Sequence, residues 1–180
     1  MKPLLRFEHV ALRRGGRRLF DTLDLALGPG EALLVRGPNG SGKSSLLRLA
    51  AGLLAPERGR VERSALALAD ENDALDAELP LGLALAFWGI RTLDPLGLTH
   101  LADVPVRLLS SGQRKRAALA RVTSSGAPLW LLDEPFNALD GDGASRLEAL
   151  IAQHLAEGGA LLAASHQPIA GVARTLELGR

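Results

Sequence analysis

Apolar and polar residues alternate with a period of two over residues 4–12 and again over 19–27, the pattern of strands with one buried face. The stretch RRGGRR between them is a glycine-punctuated turn, so the two runs predict an antiparallel hairpin or meander. After the turn GPGE the pattern changes to a short continuous apolar run, ALLVR at 32–36, as in a strand buried on both faces of a parallel sheet. A Gly-rich loop follows, then a helix predicted from Ser44 to Leu54 and stopped near Gly52 and Pro56. RVERSALALA predicts one or two strands ending near Ala69. From Asp70 to Arg107 the chain turns acidic and Leu/Ala-rich, with helix-like runs over 79–90 and 95–102. Strand and helix then alternate again: a helix over 111–124, the strand LWLLD, a helix over 142–157, the strand ALLAAS and a last short strand near 175–178. The sum is an α/β fold with a mainly parallel sheet, an antiparallel N-terminal side and a small helical subdomain.

Length and composition narrow this picture without naming a function. A chain of 180 residues predicts one domain over 1–180, with the helical insertion at about 70–124. A net charge of +1 offers no electrostatic footprint for nucleic acid as a principal partner. The absence of Cys excludes disulfide, thiolate and Cys-metal chemistry. No apolar run has the length of a membrane span, and MKPLLRFEHV does not read as a signal peptide, so the expectation is an unexported protein that meets a membrane only through a partner.

Two motifs carry chemistry. GPNGSGKS, Gly37–Pro38–Asn39–Gly40–Ser41–Gly42–Lys43–Ser44, fits the phosphate-loop pattern and stands between a buried strand and a helix, with Ser45 next in line. Its glycines let successive N–H groups turn inward on phosphate oxygens, with Lys43 reaching the β- and γ-phosphates of ATP and Ser44 placing its hydroxyl on Mg²⁺. LWLLDEP ends an apolar strand in two carboxylates. Asp133 is placed to hold the Mg²⁺ hydration shell, and Glu134 to accept a proton from an attacking water. These motifs alone leave a small-molecule kinase and an ATPase motor both open. A third stretch, LLSSGQRKRAALAR at 108–121, adds a Ser-Gly turn opening a second helix, a further anion site by its unpaired N–H groups.

LSSGQRKRAALAR resembles the signature motif of the ATP-binding cassette (ABC) family, just ahead of the acidic strand. NALD, Asn137 to Asp140, resembles that family's D-loop, and SHQ its switch histidine, His166. The likeness runs from about Leu4 to Gly179 and implies the P-loop NTPase core of an ABC ATPase. It also implies two such domains facing head to tail. Ser110, Gly112 and Gln113 would then complete the site built on Lys43 of the partner subunit, with Asp140 linking the two sites. Arg114 and Lys115 are read as a solvated helix face. His9, His100 and His154 are read as structural.

Within the family, APLWLLDEPFNALD, GGALLAASHQP and ELPLGLALAFW are most similar to the ATP-binding subunit of the haem exporter of cytochrome c maturation. The resemblance implies an ATP-hydrolysing motor, peripheral on the cytoplasmic face of the inner membrane through integral permease subunits. The helical insertion would dock them, with Phe87, Trp88 and Ile90 as candidate contacts. Another small ABC transporter, or a soluble ABC ATPase acting on nucleic acid or ribosomes, are the alternatives. Two positions depart from the family. Arg14 stands near where an aromatic residue stacks on adenine, and its guanidinium can stack on a base instead. Glu71 or Asn72 replaces the glutamine ahead of the helical subdomain, and Glu71 would approach Mg²⁺.

Overall fold

The computed structural model describes residues 2–70, 74–91 and 93–179. Glu71 and Asn72, the residues expected at the missing glutamine, lie outside them.

Strands β1 (Leu5–Arg14) and β2 (Arg17–Leu27) form the expected hairpin, and they run further than the alternation suggested. Only Gly15 and Gly16 are left as the turn, with φ of 55° and 76°. Positive φ at both central residues gives a turn whose twist matches the strands, and glycine adopts it without strain. The segment expected to hold one or two strands holds two in different sheets: β4 (Arg58–Arg63) closes the antiparallel sheet β2-β1-β4, and β5 (Leu66–Ala69) opens the parallel one. The parallel sheet has the order β5-β6-β7-β3-β8, from β3 (Ala32–Arg36), β6 (Leu129–Asp133), β7 (Ala160–Ala164) and β8 (Thr175–Glu177).

Consecutive side chains of a strand point to opposite faces, and here the alternation divides the interior into two cores. Leu33, Val35, Leu129, Leu131, Leu162 and Ala164 face one side, where β1, β2 and α1 (Lys43–Ala51) lie. Leu34, Trp130, Leu132, Leu161 and Ala163 face the other, under α2 (Leu81–Ala86), α3 (Ser111–Thr123) and α4 (Gly141–Ala156). The parallel strands therefore read as unbroken apolar runs because both faces are covered.

The insertion is less regular than its Leu/Ala content suggested. The run over 79–90 yields only α2, opened by Pro80 and closed at Phe87, and Ile90 turns into the core rather than onto the surface. The run over 95–102 forms single 3₁₀ turns at Asp94–Leu96 and Thr99–Leu101, not an α-helix. Among the described residues no helix is long and apolar enough to cross a membrane.

The topology decides where the chemistry sits. Val35, Ala164 and Asp133 are aligned across the adjacent strands β3, β7 and β6. The loops that leave those strands thus emerge together at one edge, where open α/β sheets bind ligands.

Candidate nucleotide site

The phosphate loop leaves β3 as expected. Gly37 has φ 147°, and a Cβ there would come 2.4 Å from the Leu178 carbonyl oxygen and 2.7 Å from Ser41 Oγ, so only glycine passes between β8 and the loop. The helix α1 begins at Lys43 without a side-chain cap, leaving the N–H groups of its first turn for a ligand. Lys43 is only 7% exposed. Its Nζ donates to the carbonyls of Gly37 at 2.8 Å and Pro38 at 3.4 Å, which hold the ammonium at the mouth of the loop.

The acidic strand ends opposite. Asp133 is 6% exposed, and Glu134 leaves the strand direction at φ 44°, its own N–H bound to the Ala164 carbonyl at 2.8 Å. That left-handed backbone is strained for a non-glycine residue. It turns the Glu134 carboxylate toward His166, which follows β7. His166 Nε2 lies 3.4 Å from Glu134 Oε1 and 3.5 Å from Lys43 Nζ. The three residues expected to carry catalysis therefore meet at one point although they come from three separate loops.

Around that point is a cleft of about 900 Å³ lined by Asn39, Gly40, Gly42, Lys43, Ser44 and Ser45 on the loop side and Asp133, Glu134 and Asn137 on the acidic side. Arg14, Gly15, Arg17 and Leu19 close its remaining wall. Arg14 lines the cleft, its Nη1 donating to the Ser45 hydroxyl at 3.4 Å. Gly37, Pro38 and Ser41 do not line it. They form the underside of the loop, and the buried Ser41 hydroxyl points away toward Gly37.

Ser44 and the buried Asp133 are hard oxygen donors in one cleft. No group of three or more His, Asp or Glu that could hold a metal occurs among the described residues. Two such oxygens suit Mg²⁺, which keeps most of its water and uses one or two protein oxygens together with phosphates.

Ser110, Gly112, Gln113 and Asp140 do not line this cleft. Ser110 caps α3, its Oγ accepting from Gln113 N at 3.2 Å while Gln113 Oε1 accepts from Ser110 N at 2.8 Å. Both side chains are thereby fixed at the start of α3. Gly112 lies so close to the loop after β6 that a Cβ would come 2.5 Å from the Ala138 carbonyl oxygen. Asp140 caps α4, accepting from Gly143 N at 2.8 Å.

One residue overturns its sequence reading. Lys115, taken as part of a solvated face, is partly buried, lines the cleft and donates to the Asp133 carbonyl at 3.0 Å. A signal was present: it lies one helical turn beyond Ser111, on the same face as the signature turn. Arg17 was also missed, although the two-glycine turn makes it the cross-strand partner of Arg14.

Comparison with known proteins places the chain in a family. The ABC transporter family model matches residues 20–137, from β2 through the acidic strand to its turn. The chain belongs to the ABC transporter family. It is 55% identical to the cytochrome c biogenesis ATP-binding export protein CcmA of Sphingopyxis alaskensis, over 94% of this chain and 93% of that protein. It is 56% identical to the CcmA of Novosphingobium aromaticivorans, over 89% and 87%. Among solved structures it resembles an ATP-binding subunit of an ABC transporter, with a TM-score of 0.87 and 22% identity over 97% of this chain and 85% of that one. It also resembles a dimeric ATP-binding cassette in a post-hydrolysis state bound to ADP and Pi, with a TM-score of 0.78, 21% identity and 97% and 94% coverage. The fold is accordingly that of an ABC ATPase. ATP binding and hydrolysis coupled to transport are the activity of the family.

Proposed function

We propose that this ABC ATPase is the motor subunit of the haem exporter of cytochrome c biogenesis. The observation that carries the reading is the 55% identity, along nearly the whole of both chains, to a cytochrome c biogenesis export protein. In this reading ATP lies in the cleft with its phosphates on the loop 37–45. Lys43 neutralises the β- and γ-phosphates, Ser44 and Asp133 hold Mg²⁺, Glu134 takes the proton of the attacking water, and His166 donates to the γ-phosphate. Mg²⁺ supplies charge neutralisation at the phosphates. Arg14 lies against the base. Ser110, Gly112 and Gln113 serve the site of a second copy placed head to tail, and Asp140 lies between the two sites.

The working complex in this proposal includes integral permease subunits and sits on the cytoplasmic face of the inner membrane. Leu79, Leu83, Phe87 and Trp88 stand exposed along and beside α2, Phe87 at 82% and Trp88 at 46%. An apolar stripe on so short a helix supports a docking role there. Purification of the tagged protein from native membranes, with mass spectrometry of what remains bound, tests the proposal. Multi-span membrane proteins together with haem-handling proteins are expected. Recovery with ribosomes or nucleic acid and no membrane protein would overturn the transporter role.

A further inference from the structure

The cleft has two chemically different ends. Lys43 and Glu134 line one, with His166 beside them, and the tip of the β1–β2 hairpin brings Arg14, Gly15, Arg17 and Leu19 to the other. With the terminal phosphate of a nucleotide at the first end, the base lies toward the second. Arg14 and Arg17 are direct cross-strand partners on either side of the Gly15–Gly16 turn. Both line the cleft, whereas the neighbouring pair, Arg13 and Arg18, does not, and Arg18 is paired with Asp21 at 3.0 Å. Among the described residues neither Arg14 nor Arg17 has a carboxylate partner, and no aromatic ring lines the cleft. Phe20, the ring closest in sequence, is buried against Gly42.

Like charges directly opposite on a ladder are unfavourable on their own. A planar ligand between them changes that. One guanidinium can stack on the plane of a base while the other presents its in-plane fork of N–H donors to the O6 and N7 acceptors of guanine. Adenine shows a donor amine where guanine shows O6, so the same fork meets one acceptor instead of two.

Resting on the reading of the cleft as a nucleotide site, we propose that Arg14 and Arg17 form a guanidinium clamp on the nucleobase, which gives this cleft an affinity for guanine nucleotides at least equal to that for ATP. The clamp is formed by the hairpin alone, so it acts before any partner subunit closes on the site.

Calorimetric titration of the full chain with ATP, GTP, CTP and inorganic tripolyphosphate, each with Mg²⁺, tests it. Arg14→Ala, Arg17→Ala and Arg17→Lys are compared with the wild type, and thermal melts verify that each is folded. GTP is expected to bind as tightly as ATP or up to about tenfold tighter, as a bidentate Arg–guanine contact allows, with CTP weakest. Each Ala variant should weaken GTP about fivefold or more and draw the nucleotides together, while tripolyphosphate is unchanged. The proposal is overturned by ATP binding measurably tighter than GTP in the wild type. It is equally overturned by a loss of tripolyphosphate affinity matching that of the nucleotides, or by Arg17→Lys behaving as wild type, because either means charge attraction rather than base contact. Failure of the wild type to bind any of the four would instead remove the nucleotide-site reading itself.

Discussion

Lys115 Nζ donates to the carbonyl oxygen of Asp133 at 3.0 Å, which ties the helix behind the signature turn to the peptide that joins the two acidic residues. Asp133 and Glu134 share that peptide, and Glu134 is held there at a strained φ of 44°. A charged donor on this carbonyl resists rotation of the peptide and so keeps the Glu134 carboxylate facing His166. Hydrogen bonds to charged groups contribute about 1.5–3 kcal/mol. Lys115→Met is therefore expected to lower kcat by about tenfold or more with little change in nucleotide Kd. Lys115→Arg should recover part of the rate. Steady-state hydrolysis beside nucleotide titration measures the split, and an unchanged kcat would remove the positioning role.

Glu134 is the only carboxylate beside His166 among the described ion pairs, and the proposed chemistry assigns it the proton of the attacking water. Glu134→Gln keeps the size and the φ but cannot accept that proton. Hydrolysis is expected to fall by a factor on the order of 10²–10⁴, with ATP binding retained. In the head-to-tail reading this variant accumulates as an ATP-bound dimer, visible by light scattering after gel filtration. Turnover at the normal rate would reassign the base.

Gly112 tests the contact between α3 and the turn after β6. A methyl group there would come 2.5 Å from the Ala138 carbonyl oxygen, and backbone does not yield as a flexible side chain does. Gly112→Ala should cost about 1–3 kcal/mol by overpacking. A lower melting temperature is expected and, in the head-to-tail reading, weaker dimerisation, because the N-terminal turn of α3 is displaced. An unaltered melt would mean that the two loops part freely.

His154 gives the fold a dependence on pH. Its ring is stacked on Trp130 with centroids 3.8 Å apart and planes 6° apart, and a Cβ at Gly159 would overlap it. Burial holds its pKa below the ordinary histidine value of 6.5, against smaller opposing effects from the Ala160 carbonyl and Glu157. The unfolded chain then binds more protons than the folded one below that value. Stability is fully present above about pH 6.5 and declines as the pH falls from there through the lowered folded value. Melting temperatures measured from pH 8 to pH 5 should drop more steeply for the wild type than for His154→Gln. Parallel curves would show that other groups govern the acid limb.

The sequence by itself determined the site's chemistry. Period-two alternation placed the hairpin, continuous apolar runs placed the buried strands, and GPNGSGKS and LWLLDEP named half of what lines the cleft. These are local signals, legible because each depends on residues a few positions apart. Tertiary structure decided what local pattern cannot carry. It left α2 and single 3₁₀ turns where the Leu/Ala runs over 79–90 and 95–102 would by themselves extend helices. It sent Ile90 inward and left Phe87 and Trp88 outside. It brought Lys115 onto Asp133, and it set Arg17 beside Arg14 at the open end of the cleft. Which face of a helix meets a strand end, and how far a hairpin reaches over a loop, depend on how the layers pack. That relation joins residues far apart in the chain: a period of two or of 3.6 records which residues share a face, not what that face meets.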